Sequence, residues 1–417
     1  MTERDVRAKV HAIPRLLWGA AVTLVVAVPA ACANLSGLSD GHDAGSPDTG
    51  VKHADAGSDT GHKVDSGPPD VAPHDATARD ASDAGHATDT GRGDAGHDTG
   101  VDAGPPSSCV AGGPGLTNCG EDAGESCCTS YLLPAGTFER SYEPDSSVTS
   151  ARATVSAFRL DKYPVTVGRF RQFIHATNPD SGVAWSPAAG SGKHAYLDGG
   201  ALNACPAGGA AIEPGWSTDF PFNPTPASVR GAPFPTYTLS PGANENLPMN
   251  ELTWYDAYAF CIWDGGFLPT LAELEYAAAG GNQQRDYPWG ATPPQTTPNG
   301  YAIYGCHYPN ADADIPDGDT CESVVNLAPV GTATLGAGRW KQLDLTGEIQ
   351  EWVLDKYSLG YPAGQWDNCV YLEGDGGRFF QGAAWALPIT TPAARQVGGH
   401  VAGIPDPDIG LRCARAP

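Results

Sequence analysis

The chain has 417 residues, of which 53 are glycine and 37 are proline, and its formal net charge at pH 7 is −24. An acidic surface cannot neutralise phosphates, so this charge argues against a nucleic-acid partner and against binding to an anionic membrane surface. The glycine and proline content predicts a loop-rich protein with a disordered part. Eleven cysteines are many for a chain kept in a reducing compartment.

Residues 1–32 have the pattern of an export signal. Four basic residues lie within the first 15 positions, an apolar run follows at 16–28, and small residues precede Cys32. This order is typical of a signal peptide, and the apolar run is too short for a stable membrane-spanning helix. A cysteine directly after two alanines resembles a bacterial lipoprotein box, which implies a lipid anchor at Cys32. Simple cleavage near Ala33 is the alternative. Either outcome predicts an exported protein, as a membrane-anchored lipoprotein or in a secreted or periplasmic form.

Residues 33–108 form a degenerate repeat of Asp, Gly, His, Ala, Thr and Pro, such as DAGHDTG at 94–100, and contain no aromatic residue. Such a segment cannot bury enough apolar surface to offset the entropy of ordering. It is therefore predicted to be a disordered linker. Its six histidines among many aspartates suggest a metal-gathering tail, but no ligand spacing recurs. We favour the other interpretation, a flexible acidic stalk.

Residues 109–130 are rich in cysteine. Cys109, Cys119, Cys127 and Cys128 lie within twenty residues, and in an exported chain such a cluster predicts local disulfides. A zinc site made by four thiolates is the alternative, but the spacing lacks the paired CxxC knuckles of such sites. With Cys32 set aside, ten cysteines remain, an even number that permits complete pairing.

Residues 131–417 show short elements separated by long loops. An apolar piece at 132–138 predicts extended structure, and 153–163 alternates, with Val155, either Ala157 or Phe158, and Leu160 as candidate inward residues. Glycine, proline and asparagine fill 179–246 and 290–325. Loops of this length are usually functional or are held by metals and disulfides.

Three segments of this region have helical spacing. The predicted helices cover 167–176, 254–263 and 271–279. Thr253 is the expected N-cap of the second helix. Thr270 and Glu273 form the capping-box pattern at the start of the third.

A series of short motifs in this region resembles the formylglycine-generating (sulfatase-modifying factor) family, in the family's order. The motifs are Gly136-Thr137-Phe138, Phe158 to Thr166, Trp254 to Trp263, Leu268 to Ala278, Tyr287 to Gly290, Ala328 to Gly331, Asp344 to Trp352 and Ile409 to Cys413. The resemblance implies the family's fold, a single irregular, loop-rich α+β domain related to C-type lectins.

The resemblance also implies a disulfide between Cys261 and Cys413. Of the other cysteines, Cys306 and Cys321 are expected to close the loop between them. Cys205 and Cys369 then pair by elimination.

Residues 344–351 resemble the family's calcium loop. The resemblance implies that Ca²⁺ is bound by the side chains of Asp344 and Glu351 and by the carbonyls of Gly347 and Ile349, a set of hard oxygen ligands that suits this cation. The alternative is an acidic turn. A second calcium site could involve Asn299.

The copper site of the family has no counterpart in this sequence. The family binds Cu(I) through two cysteines, because thiolates are soft ligands, whereas Leu387 and Pro392 occupy those positions here. Copper is therefore not expected as a cofactor, and no catalytic residue is assigned. The histidines of the predicted domain, His175, His194, His307 and His400, are far apart in sequence and are interpreted as surface or satisfied core residues.

Two function classes follow from these observations. The first is an exported, stalk-tethered binding or scaffolding module that is stabilised by calcium, with a peptide, glycan or small molecule as ligand. The second is an oxidase of the formylglycine-generating class that acts on a protein cysteine or another substrate through a divergent site.

Overall fold

A computed structural model describes residues 105–140, 151–178, 184–200, 203–206, 208–231, 233–310, 321, 324–358, 364–374, 377–387, 389 and 396–417. The predicted signal peptide, residues 33–104 of the predicted linker, and Pro392 lie outside the described residues. The described part is a mixed α+β domain of three α-helices, twelve short strands and several 3₁₀ turns. The predicted fold class is confirmed.

The three helices begin at threonine caps. Helix α1 covers Val167–Thr177, α2 covers Trp254–Trp263 and α3 covers Leu271–Ala278. The hydroxyl of Thr166, Thr253 or Thr270 accepts a backbone N–H in the first turn of the helix that follows it. The capping box of α3 forms as predicted. Helix α1 is one residue longer than predicted and α3 one residue shorter, within the usual fraying of helix ends.

The strands form four small sheets. In chain order they are β1 Ser130–Leu133, β2 Gly136–Arg140, β3 Ala151–Val155, β4 Phe158–Asp161, β5 Gly209–Ala210, β6 Gln350–Lys356, β7 Trp366–Asp367, β8 Val370–Tyr371, β9 Gly377–Gln381, β10 Val397–Val401, β11 Ile409–Gly410 and β12 Ala414–Arg415. The sheet orders are β1-β4-β12, β10-β9-β6-β11, β2-β3-β7 and β5-β8. The alternating run at 153–163 is thus divided between two sheets, because β3 pairs with β2 and β7 whereas β4 pairs with β1 and β12.

Two apolar clusters make up most of the core. The larger one surrounds α1 and α2, where the rings of Phe170 and Phe260 stack with centroids 5.4 Å apart. The second surrounds α3 and includes Leu271 and Trp366. Both contain residues from distant parts of the chain, so the loops between the elements are held on a common core.

Five disulfides fix the loops on this core. They are Cys109–Cys128, Cys119–Cys127, Cys205–Cys369, Cys261–Cys413 and Cys306–Cys321. The predicted pairings are confirmed, and the alternative of a four-thiolate zinc site at 109–130 is wrong because these four cysteines are bonded to each other. Among the described residues, no helix has the length and apolar character needed to cross a membrane.

Candidate functional site

The segment that follows β9 lies where the resemblance places the copper site. Ala383 and Ala384 are buried, and Leu387 is half-buried against the larger core cluster. Its N–H donates to the carbonyl of Ala384 and its own carbonyl accepts from Gly305, both at 3.1 Å. Leu387 therefore has a packing role. Each of the ten cysteines from Cys109 to Cys413 is in a disulfide, so the described domain offers no thiolate to Cu(I), and the residues present do not fit a thiolate copper site.

The loop predicted to bind calcium is strained and rich in buried carboxylates. Asp344, Gly347 and Glu348 all have positive φ angles, of 57°, 78° and 61°. One oxygen of Asp344 accepts the N–H of Gly331 at 2.6 Å, and burial raises the pKa of this carboxyl to about 6. The non-glycine residues at positive φ indicate a loop whose backbone shape is fixed by its surroundings.

Glu348 is the most unusual carboxylate of this loop. One oxygen accepts the N–H of Ala328 at 2.8 Å, but the other is buried and has no hydrogen-bonding partner among the described residues. Burial raises the pKa of Glu348 well above its ordinary value, and the charge of Asp344 adds to this effect. A cation between the carboxylates of Asp344 and Glu348 would offset the repulsion between their charges and would give the unpartnered oxygen of Glu348 a partner.

Glu351, the other predicted side-chain ligand, is bound to an arginine. Both of its oxygens accept from Arg412, at distances of 2.9 to 3.1 Å, and the remaining guanidinium N–H groups donate to three backbone carbonyls. Of the four predicted ligands, the structure thus places Asp344 and the carbonyls of Gly347 and Ile349 in one loop, with the carboxylate of Glu351 directed to Arg412. Within the described ranges, no three His, Cys, Asp or Glu side chains are grouped so as to hold a metal by themselves, so a cation here would need backbone oxygens. The side-chain oxygen of Asn299, the second-site candidate, is also buried and has no hydrogen-bonding partner among the residues that the structure describes.

His194 belongs to a buried network that sequence reasoning did not find. Its Nδ1 lies 2.7 Å from Glu213 and its Nε2 lies 3.0 Å from Glu273. The hydroxyls of Tyr196 and Tyr258 donate to the same two carboxylates. Burial alone would lower the pKa of His194, but the two negative charges outweigh it and raise the pKa to about 10. The interpretation of His194 as a satisfied core residue is confirmed.

A second group that sequence reasoning missed is formed by Glu251, Asp406 and Asp408. Glu251 is only 1 % exposed and adopts a φ of 56°. Its N–H donates to the carbonyl of Asp406 at 3.2 Å, and one of its oxygens accepts the N–H of Phe234 at 3.3 Å. The other oxygen is buried without a partner in the described part of the chain. We call these three carboxylates the acidic site.

The acidic site perturbs the acid–base behaviour of its own members. Burial raises the pKa of Glu251 to about 7, against the hydrogen bond from Phe234, and the charges of Asp406 and Asp408 add to the rise. Burial and the charge of Asp406 raise the pKa of Asp408 to about 7 as well. His400 lies nearby, with its Nδ1 3.9 Å from a carboxylate oxygen of Asp406.

The acidic site adjoins the segment that replaces the copper site. The ring of Phe234 contacts that of Trp385, with centroids 6.5 Å apart, and the indole N–H of Trp385 is buried without a described partner. The buried amide of Asn250 donates to the carbonyls of both Phe234 and Pro407, each at 2.9 Å. Three separate stretches of the chain therefore meet here, and no local sequence pattern could have predicted it.

The fold and these sites define an irregular α+β domain that is held together by disulfides and that has buried carboxylates in the loop 344–351 and in the acidic site. The sequence profile of the sulfatase-modifying factor enzyme 1-like domain matches residues 117–417. The chain belongs to this family.

The similar proteins of this family include one that is named as an enzyme and one that is named as inactive. The formylglycine-generating enzyme of Streptomyces coelicolor is 29% identical over 302 residues, which cover 68% of this chain and 87% of that protein. The inactive C-alpha-formylglycine-generating enzyme 2 of Mus musculus is 31% identical over 173 residues, or 40% of this chain and 49% of that protein. Among solved structures, PvdO from Pseudomonas aeruginosa is similar with a TM-score of 0.44 and 19% identity, covering 73% of this chain and all of PvdO.

Proposed function

We propose that this protein is a binding or scaffolding module of the sulfatase-modifying factor family that lacks the family's copper-dependent oxidase activity. The observation that carries the proposal is the pairing of all ten cysteines of the domain, together with Leu387 at the first copper position. Oxidation through Cu(I) needs two soft thiolate ligands. A domain whose thiols are all in disulfides has none to offer.

A calcium ion in the loop 344–351 is part of this proposal. Asp344 and the carbonyls of Gly347 and Ile349 would hold it, as the resemblance implies, and a bound Ca²⁺ would neutralise buried negative charge and fix the loop. The buried oxygen of Glu348 that has no partner within the described ranges supports a cation at this place. Because Glu351 is paired with Arg412, we propose Glu348 as the second carboxylate ligand and give Glu351 the role of orienting Arg412.

Export and tethering also belong to the proposal. The five disulfides support an oxidising compartment, where such bonds persist. The pattern at 1–32 supports a signal peptide, with Cys32 as the lipid-anchored residue. The repeats of 33–108 would then serve as a stalk between the membrane and the domain. The ligand would be a peptide, a glycan or a small molecule.

The proposal is tested by counting thiols and by titrating copper on the purified protein. Alkylation without reduction should label no cysteine between 109 and 417. A competition titration with a chromogenic Cu(I) chelator should show no copper bound with high affinity by this domain. Stoichiometric, high-affinity Cu(I) binding that is lost after thiol alkylation would overturn the proposal and favour the alternative, an active oxidase with a divergent site.

A further inference from the structure

Glu251 combines three features that each destabilise a fold. The side chain is 1 % exposed, one of its oxygens has no described partner, and its backbone adopts the left-handed region at φ 56°. A left-handed conformation is unfavourable for a residue with a side chain, and a buried acceptor without a partner loses the free energy of hydration. Buried strain and unsatisfied polar groups that occur together point to a functional site.

The two charged groups that act on Glu251 in the described part of the chain are both acidic. Asp406 and Asp408 are its charged neighbours, and His400, which lies 3.9 Å from Asp406, is the basic side chain paired with this group in the described part. In the described part of the chain, the three carboxylates therefore have one imidazole beside them. An added cation would relieve the repulsion and supply the missing partner of the buried oxygen.

The residues around the acidic site favour an organic cation over a metal ion as its ligand. The described carboxylates and imidazoles do not form a group that could coordinate a metal. Phe234, whose backbone N–H donates to Glu251, is half-buried, and its ring lies 6.5 Å from that of Trp385 between centroids. Aromatic faces attract ammonium and guanidinium groups. Val401 and Ile404, which lie between His400 and Asp406 in the chain, are exposed at 53 % and 52 % and offer apolar surface for the alkyl part of a ligand.

We propose that the acidic site, with Phe234 and Trp385, binds an organic cation, namely an amine or guanidinium group on a short alkyl chain. Glu251 would form the deep ion pair, Asp406 and Asp408 would face the cation from the solvent side, and the aromatic rings would contact its stem. This inference rests on the proposed binding function and names the ligand chemistry of that function. The cation could be a free small molecule or a lysine or arginine side chain of a peptide.

The test uses the disulfide-bonded protein and agmatine, which carries both an amine and a guanidinium group. Titration calorimetry should detect binding of agmatine and of n-pentylamine. It should detect no binding of 1-pentanol, which has the chain length of n-pentylamine but no charge. Glu251→Gln and Asp408→Asn should each weaken agmatine binding by about tenfold, the usual effect of losing about 1.4 kcal/mol. Glu121→Gln, at an exposed carboxylate of the segment 109–130, is the matched control and should leave the affinity within about twofold.

Two further arms separate the alternatives. A short acetylated peptide with a central lysine should compete with agmatine if the natural ligand is a protein side chain, and fail to compete if the site accepts only free amines. The proposal is overturned if Glu251→Gln binds agmatine as well as the unchanged protein, or if Ca²⁺ displaces agmatine stoichiometrically and binds more tightly, which would make this a metal site. The copper titration on the unchanged protein is independent of Glu251, so failure of this proposal and failure of the proposed function give different results.

Discussion

The Nε2 of His194 lies 3.0 Å from an oxygen of Glu273, and the same oxygen accepts the N–H of Thr270 at 2.7 Å in the capping box of α3. The carboxylate of Glu273 thus caps the N-terminus of α3 and also binds the imidazole of His194, which lies in a long loop. Glu213, on the far side of the ring, completes a buried triad. The loop around 194–213 is therefore held on the helical core by charge as well as by packing.

Replacing Glu273 should destabilise the protein more than removing the cap alone. Glu273→Gln leaves the imidazolium without one of its two buried counter-charges, and breaking a buried pair on one side costs about 3–5 kcal/mol. Thr270→Ala removes the capping hydroxyl at a cost of about 0.5–2 kcal/mol. Chemical denaturation of both variants measures the difference. Equal losses would show that His194 contributes nothing beyond the cap.

The triad should make stability depend on pH. Because the folded pKa of His194 is raised to about 10 from an unfolded value of 6.5, its contribution is complete below about pH 6.5 and is lost as the pH rises toward 10. Burial would raise the pKa of Glu273, but the charge of His194 and the hydrogen bonds from His194, Tyr196 and Thr270 together lower it. Its contribution is therefore lost only as the pH falls below about 4.5. The melting temperature should fall between pH 6.5 and 9.5. His194→Gln should flatten this part of the profile, and an unchanged slope in that variant would contradict the assignment.

Glu251 should act on stability in the opposite sense. Its folded pKa is raised to about 7, so the folded state disfavours the ionised form, and stability falls as the pH rises from about 4.5 to 7. Glu251→Gln removes this penalty and keeps an acceptor for the N–H of Phe234. Its melting temperature should exceed that of the unchanged protein by a few degrees at pH 8, and the difference should shrink at pH 5. A variant that is less stable at pH 8 would show that Glu251 has a structural role.

Calcium removal should distinguish the roles of Glu348, a proposed calcium ligand, and Glu351, the ion-pair partner of Arg412. A chelator should lower the melting temperature of the unchanged protein, because Ca²⁺ at a hundredfold its dissociation constant stabilises by about 2.7 kcal/mol. Asp344→Asn and Glu348→Gln should abolish this sensitivity. Glu351→Gln should be less stable both with and without the chelator, because it breaks the ion pair with Arg412. No response of the unchanged protein to chelation would leave the loop as an acidic turn.

Local sequence signals predicted the helices and their caps, because a cap and its partner are only three residues apart. The resemblance predicted the Cys261–Cys413 disulfide across 152 positions. The buried polar groups could not be found in this way. His194 and Glu273 are 79 residues apart. Glu251 contacts Asp406 through a backbone hydrogen bond between distant parts of the chain, where Asn250 also joins Phe234 to Pro407. Such contacts depend on tertiary structure and leave no period or spacing in the sequence.

The central claim is that the domain has lost thiolate copper chemistry and retained a fold for binding. The most direct measurement incubates the purified, disulfide-bonded protein with copper, oxygen and a peptide containing Cys-x-Pro-x-Arg, and follows the peptide by mass spectrometry. A matched variant with Leu387→Cys and Pro392→Cys restores both thiols and should bind Cu(I), which shows that the domain can present the site. The account predicts no aldehyde from the unchanged protein. Formation of a formylglycine aldehyde by the unchanged protein, at a rate above copper alone, would contradict it.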